Sequence, residues 1–405
     1  MRSRPTRRPR TLAATAATLV ALCAAQTLSV ASAATAAPAP APAPSHDRVA
    51  AAAAHSRTAT RAAVTSAQDR AAKAVARSLG DAAWNKSLRT AALKSAGVPL
   101  AAKATGALKT QLAAADQDIV HAKGLDAKTG SLLELRLGDE SMRSALLAGE
   151  EPWVAAAVSD DGLTTVTAYD SRGVAHRLDA AKAPARPVYV VDVDGEKALA
   201  AGLDVMREEF NKAGVPSAGP GAVNTTTAAP QSKTAGVAGA AAAGYWSTKI
   251  TAVHLKDDKE PWIKGGAEIY SLVSGFGQDG KVRVDPVTMP YIKDDGVVYY
   301  PNQLLVNWSN YKYNLADVVM MEEDGSTNYR DLAKAIATVL LTITDQGAYI
   351  PLVNAILDAI PDSWWTDDPD YVDSWYTLAK TSKGTLNGAS NNGYMTVEPY
   401  FVSQL

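Results

Sequence analysis

The sequence predicts an α+β protein: a C-terminal β-sandwich-like domain with a helical insertion, preceded by a smaller α+β region and by Ala-rich helices. Three observations predict it. Alanine with scattered charges fills 49–130, and short apolar runs punctuated by Asp-Gly and Arg-Gly turns begin at Trp153. Of the 26 aromatic residues, 21 lie from Tyr245 onward.

The first ten residues, MRSRPTRRPR, hold five arginines and no acid, and an apolar Ala/Thr-rich run and the small residues ASAA follow. That order is the pattern of a secretory signal peptide over 1–33, with cleavage expected after Ala33 and export to the extracellular space. Arg7-Arg8 suggests the twin-arginine route, but Pro9 and Arg10 stand where an apolar residue is expected, which favours general secretion. Leu22 precedes Cys23 in place of the small residue a lipoprotein signal needs. Cys23 is the sole cysteine, so the mature chain should form no disulfide and offer no thiolate nucleophile or Cys-ligated zinc. About 370 residues remain, enough for two or three domains. No later run reaches about eighteen uninterrupted apolar residues, so no membrane span is expected.

A Pro/Ala linker over 34–48 leads to the Ala-rich helical region, 49–130, where Leu79, Trp84, Leu88 and Leu93 fall at loose helical spacing before a Gly-Val-Pro stop. The next region, 131–213, reads as a small α+β domain or prodomain-like unit. In it WVAAAVSDDGLTTVTAYDSRGVAHRLD predicts a meander, and RPVYVVDVDGEKALAAGLDVMREEFNKAG predicts a buried strand, a turn and a helix. A second Pro/Ala/Gly linker spans 214–244.

The β-rich domain, 245–405, carries 12 Lys and Arg against 21 Asp and Glu. Its predicted strands are STKITAVHL, AEIYSLVSG, VRVDPVTM, VVYYPNQLLVNWS, NLADVVMME and YMTVEPYFV. A helix capped by Asn328 places Leu332, Ile336, Val339, Leu340 and Ile343 on one face, and a short helix after Pro351 completes an insertion expected over the end of the sandwich.

Three strand ends in this domain carry close acids. Calcium takes six to eight oxygens, and neighbouring loops can supply them. Convergence of Asp257, Asp258, Asp294, Asp295, Glu323 and Asp324, with Glu268 as a further ligand, would make such a cage. The alternative is solvated turns, because Asp caps its own backbone and Gly supplies positive φ. DVDGE at 192–196 resembles a fragment of an EF-hand loop but sits between a strand and a helix, where a plain turn is expected.

No His-Glu-x-x-His, Gly-x-Ser-x-Gly or phosphate-loop motif occurs, so no catalytic residue is assigned. A carboxylate pair of the glycosidase kind leaves no fixed spacing and stays open. The aromatic run around Trp364, Trp365, Tyr371, Trp375 and Tyr376 offers either core or a platform for polysaccharide. Nucleic acid is excluded as a partner, because the aromatic half is acidic.

The strings KDDKEPWIKGGAEIYS, VDPVTMPYIKDDGVVYYPNQLLVNWSNYKYNLAD, MMEEDGSTNYRDLAKAIATVLLTITDQGAYIPLVNAIL and DSWWTDDPDYVDSWYTL together resemble a family of secreted bacterial proteins of high-GC Gram-positive bacteria, defined only as a domain of unknown function. The resemblance runs from about Trp153 to the C-terminus and implies a secreted domain with a helical insert, with no activity to carry over. The expectation is a secreted, non-catalytic binding or structural module, calcium-stabilised, whose partner is a polysaccharide or another extracellular protein. The alternative is a secreted glycoside or peptide hydrolase that uses a carboxylate pair in the C-terminal domain.

Overall fold

The computed structural model describes residues 46–158, 163–219, 244–256, 262–264, 268–294, 296–323, 325, 327–360 and 371–403, with side chains from residue 57 onward. The Ala-rich stretch forms α1 (His46–Ser78), α2 (Ala82–Ala92), the short α3 (Leu100–Lys103) and α4 (Gly106–Ala122). On α1 the residues Val64, Ala67, Ala71, Ala72, Val75 and Ala76 are buried. Their spacing puts them on one helical stripe, and their small size lets neighbouring elements approach closely. Asp81 starts α2 by accepting the backbone N–H groups of Ala83 and Trp84.

The first sheet comprises β1 (Val98–Pro99), β2 (Leu133–Leu137), β3 (Trp153–Ala156), β4 (Thr165–Tyr169), β5 (Ala175–Asp179) and β6 (Val188–Val193), in the order β1-β2-β6-β3-β4-β5. All pairings are antiparallel except β3 with β6. The short α5 (Arg143–Leu147) connects β2 to β3, and α6 (Gly195–Ala213) follows β6. The predicted meander and the predicted strand-turn-helix are both present.

Two more sheets build the C-terminal sandwich. One contains β7 (Gly244–Leu255), β10 (Val298–Tyr299), β11 (Gln303–Asn307), β14 (Gly384–Asn387) and β15 (Gly393–Ser403). The other contains β8 (Glu268–Phe276), β9 (Val282–Thr288), β12 (Leu315–Glu323) and β13 (Tyr371–Ala379), in the order β13-β12-β8-β9. The segment expected as one strand over VVYYPNQLLVNWS is two, β10 and β11, both paired with β7.

The insertion forms α7 (Tyr329–Leu340) and α8 (Val353–Ala359), and the Asn328 side chain accepts the Asp331 N–H as its cap. These helices do not close the end of the sandwich. They join α1 and α6 in a helical layer between the first sheet and the β8-containing sheet. The largest core cluster runs through that layer, from Val64 on α1 to Ile360 after α8. Strand β8 therefore faces apolar surroundings on both sides: Tyr270, Leu272 and Phe276 point to the helices, while Ile269 and Val273 point to the other half of the sandwich. A strand buried on both faces reads as a continuous apolar run instead of an alternating one.

Candidate functional site

Of the acids expected to hold calcium, Asp257, Asp258, Asp295 and Asp324 lie outside the described residues; Trp364 and Trp365 of the aromatic run do as well. Glu268 and Glu323 are brought together, being opposite residues of the β8–β12 ladder. Asp294 is exposed in the turn before β10, where Oδ2 accepts the Tyr299 hydroxyl at 3.1 Å. Glu323 is buried and already has a counter-charge, because Lys123 at the end of α4 places Nζ 2.5 Å from its Oε1. Among the described residues no group of three His, Asp or Glu side chains is placed to hold a metal ion. Trp375 is core, with its indole N–H donated to the Leu386 carbonyl at 2.9 Å, whereas Tyr376 is exposed and bonded to Asn354.

Trp262 and Ile263, between β7 and β8, reach the first sheet. Ile263 is fully buried against Met142, Ala155 and Val190, and Arg136 donates to the carbonyls of both residues. Arg136 also holds Asp192, with Nε 2.9 Å from Oδ2. This guanidinium lines an acidic concavity, a pocket of about 390 Å³. The N-terminal half contributes Glu134, Arg136, Asp194 and Glu196 to its wall, and the C-terminal domain contributes Glu268 and Lys293.

Local structure fixes each of these groups. Alternation on β2 turns Leu133 and Leu135 into the helical core, which leaves Glu134 and Arg136 to the opposite side. Glu134 stands opposite Asp192 on β6. Asp194 caps α6 by accepting the Lys197 N–H at 3.0 Å, so the positive end of a 19-residue helix opens on the pocket. Glu196 is paired with Lys293. Gly97 and Gly195 give the close approach: the Glu134 carboxylate rests against the first and the Glu268 carboxylate against the second, in the space a Cβ would take.

The electrostatics are uneven. Burial first, and then the negative charges of Asp192 and Asp194, push the Glu134 pKa up to about 7, although Arg136 opposes them. Lys293 is raised, chiefly by its hydrogen bond to Glu196 and further by the charges of Glu268 and Asp294. The pocket can therefore hold one proton near neutrality, and its four carboxylates outnumber Arg136, Lys293 and the partial positive charge of the helix end. Sequence reasoning located Glu268 but not Glu134, Asp194 or Glu196. The DVDGE acids were the available signal, and the strand-helix junction expected there is where two of these carboxylates, Asp194 and Glu196, originate.

A three-sheet α+β molecule with a helical layer and an acidic pocket at a helix N-terminus defines the class. The chain belongs to the family described as "Protein of unknown function (DUF3103)", whose model matches residues 63–405. No curated protein and no solved structure matches it.

Proposed function

We propose that the protein is a secreted, non-catalytic binding module whose pocket at the N-terminus of α6 takes a positively charged organic group, such as a Lys or Arg side chain of an extracellular protein. The lining carries this reading: Glu134, Asp194, Glu196 and Glu268 face two cations, Arg136 and Lys293, and the Glu134 pKa, raised first by burial and then by the charges of Asp192 and Asp194, accords with it. Arg136 and Lys293 are already engaged with Asp192 and Glu196. The volume lies in the ordinary range for ligand pockets, about 300–1,000 Å³, and suits a group with spread charge. The basic, apolar and small-residue order of the first 33 residues supports export.

Isothermal titration of the full chain with a short oligo-lysine peptide tests the proposal, with its acetylated form as control. Saturable binding that weakens with salt and is lost in the Glu134→Gln, Glu268→Gln double variant is expected. No binding, or binding unchanged in that variant, would sink it. Calcium held by the acidic loops belongs to the same proposal, narrowed to Asp257, Asp258, Asp294, Asp295 and Asp324 with Glu268, because Lys123 answers Glu323.

One observation favours a second reading. Glu134, protonated near neutrality, shares its pocket with Glu268, so the two could act as acid and base of a hydrolase. Turnover of a glycoside or peptide substrate, abolished by Glu134→Gln, would favour it over binding alone.

A further inference from the structure

Away from the pocket, Lys123 and Glu323 form a buried pair with almost no solvent exposure of either side chain. They come from positions 200 residues apart. Nζ lies 2.5 Å from Oε1 and 3.1 Å from the Gly325 carbonyl. It also stands 5.4 Å from the centre of the fully buried Tyr329 ring. The two carboxylate oxygens are not equivalent. Oε1 accepts the Gly325 N–H at 2.8 Å as well as the ammonium, whereas Oε2 is buried without a hydrogen-bond donor among the described residues. The Tyr329 hydroxyl, also buried without a partner in hydrogen-bond geometry among the described residues, is the donor near Glu323, and burial first, then the charge of Glu323 and hydrogen bonding toward it, raise its pKa.

An orphaned anionic oxygen in a dry interior is costly and calls for an explanation. Buried ion pairs also add little net stability, and a chain with one cysteine has no intramolecular disulfide to draw on. We infer that Lys123 and Glu323 condense to an intramolecular amide, with Nζ bonding to the Glu323 side-chain carbonyl carbon. The C–Oε2 bond breaks, and the two protons that leave Nζ depart with Oε2 as water; no oxidant, cofactor or external group is consumed. The product accounts for the polar atoms of Lys123 and Glu323, and leaves the buried Tyr329 hydroxyl beside them. Oε1 remains as the amide oxygen and keeps the Gly325 N–H, the remaining Nζ hydrogen faces the Gly325 carbonyl, and the orphaned oxygen is gone. Burial excludes the bulk water that would reverse the step.

Tryptic mapping and intact mass of the full chain, purified from cells that produce it, test this. A branched peptide joining the Lys123 and Glu323 segments is expected, with no cleavage after Lys123 and a chain lighter by one water. Lys123→Arg keeps the charge without a condensable amine and should give linear peptides at full mass. Glu323→Gln can condense only by losing ammonia, so the same loss of water in that variant would place the dehydration elsewhere and overturn the assignment. Linear, unshifted peptides with cleavage after Lys123 in the unaltered protein would also overturn it. That map requires no variant to fold.

Discussion

Glu268 and Glu323 stand directly opposite each other at one end of the β8–β12 ladder, yet they serve different surroundings. Glu323 turns into the interior to meet Lys123, and Glu268 turns to the α6 N-terminus and the pocket. One pair of strand residues thus links the buried joint between the two halves to the candidate binding site.

Lys123→Met removes the amine the inferred amide needs and leaves Glu323 a buried carboxylate without a cation. The loss expected is at least about 3–5 kcal/mol, the usual penalty for leaving one member of a buried pair alone. Combining it with Glu323→Leu should recover much of that loss. Urea unfolding of the single and double variants checks both.

Glu134 binds its proton more tightly in the folded than in the unfolded chain, since its pKa rises from 4.5 to about 7 on folding. Its contribution therefore favours the folded state at low pH and is lost as pH climbs from about 4.5 through 7. Glu134→Gln should be close to neutral at pH 4 and stabilising at pH 8. Roughly 1–2 kcal/mol is expected, less than the full shift because the carboxylate is partly exposed. Thermal melts at the two pH values decide it.

Tyr329 packs its ring flat on Gly202 of α6, so that an added Cβ would fall inside the ring. The ring is fully buried and has nowhere to go. Gly202→Ala should cost about 1–3 kcal/mol or more through overpacking, despite the better helix propensity of alanine. A midpoint in urea equal to or above that of the unaltered chain would contradict this packing.

Asn328 does two jobs with one amide. Its oxygen caps α7 at the Asp331 N–H, and its nitrogen donates to the Ala122 carbonyl at 2.9 Å. Asn328→Ala should therefore exceed the usual cap loss of about 1 kcal/mol. Asn328→Asp should retain the cap but lose the bond to Ala122 and set a carboxylate oxygen against that carbonyl, so chemical denaturation should find it destabilised although its cap is intact.

For the calcium proposal, chelator at neutral pH should lower the melting midpoint and added calcium should restore it. At about ten times Kd the ion would contribute about 1.4 kcal/mol. Changing Asp294 and Asp295 together to Asn should abolish the response. An unmoved midpoint in the unaltered protein would assign these acids to solvated turns.

Much of the fold was legible because local chemistry and burial agree in it. Asp194-Gly195 opens α6 as a strand-helix junction should, and Asn328 caps α7 where its neighbours predict. Strand β13 was hidden for a physical reason. Its Asp373 is fully buried and takes the backbone N–H groups of Ser374, Ser390, Asn392 and Gly393, so a polar residue occupies an interior position and breaks the apolar signal. The pocket was only half legible. Glu268 stood out as a strand-end acid, but its neighbour Glu134 comes from β2, across a separation that no local spacing encodes. Nothing in the local sequence sets Lys123 apart from the other charges of an Ala-rich helix. Only the tertiary fold turns it inward to Glu323.

The helical layer has a consequence for the order of assembly. Helix α1 comes first among the described elements and belongs to the same core as Ile360 near the other end. Its packing on α4 and β3 can form early, but its contacts with α7 and α8 must wait until those helices have been made. The high sequence separation of these contacts predicts slow, late collapse. Closure of the largest core therefore waits on α7 and α8, although the first sheet and its helices can pair before them.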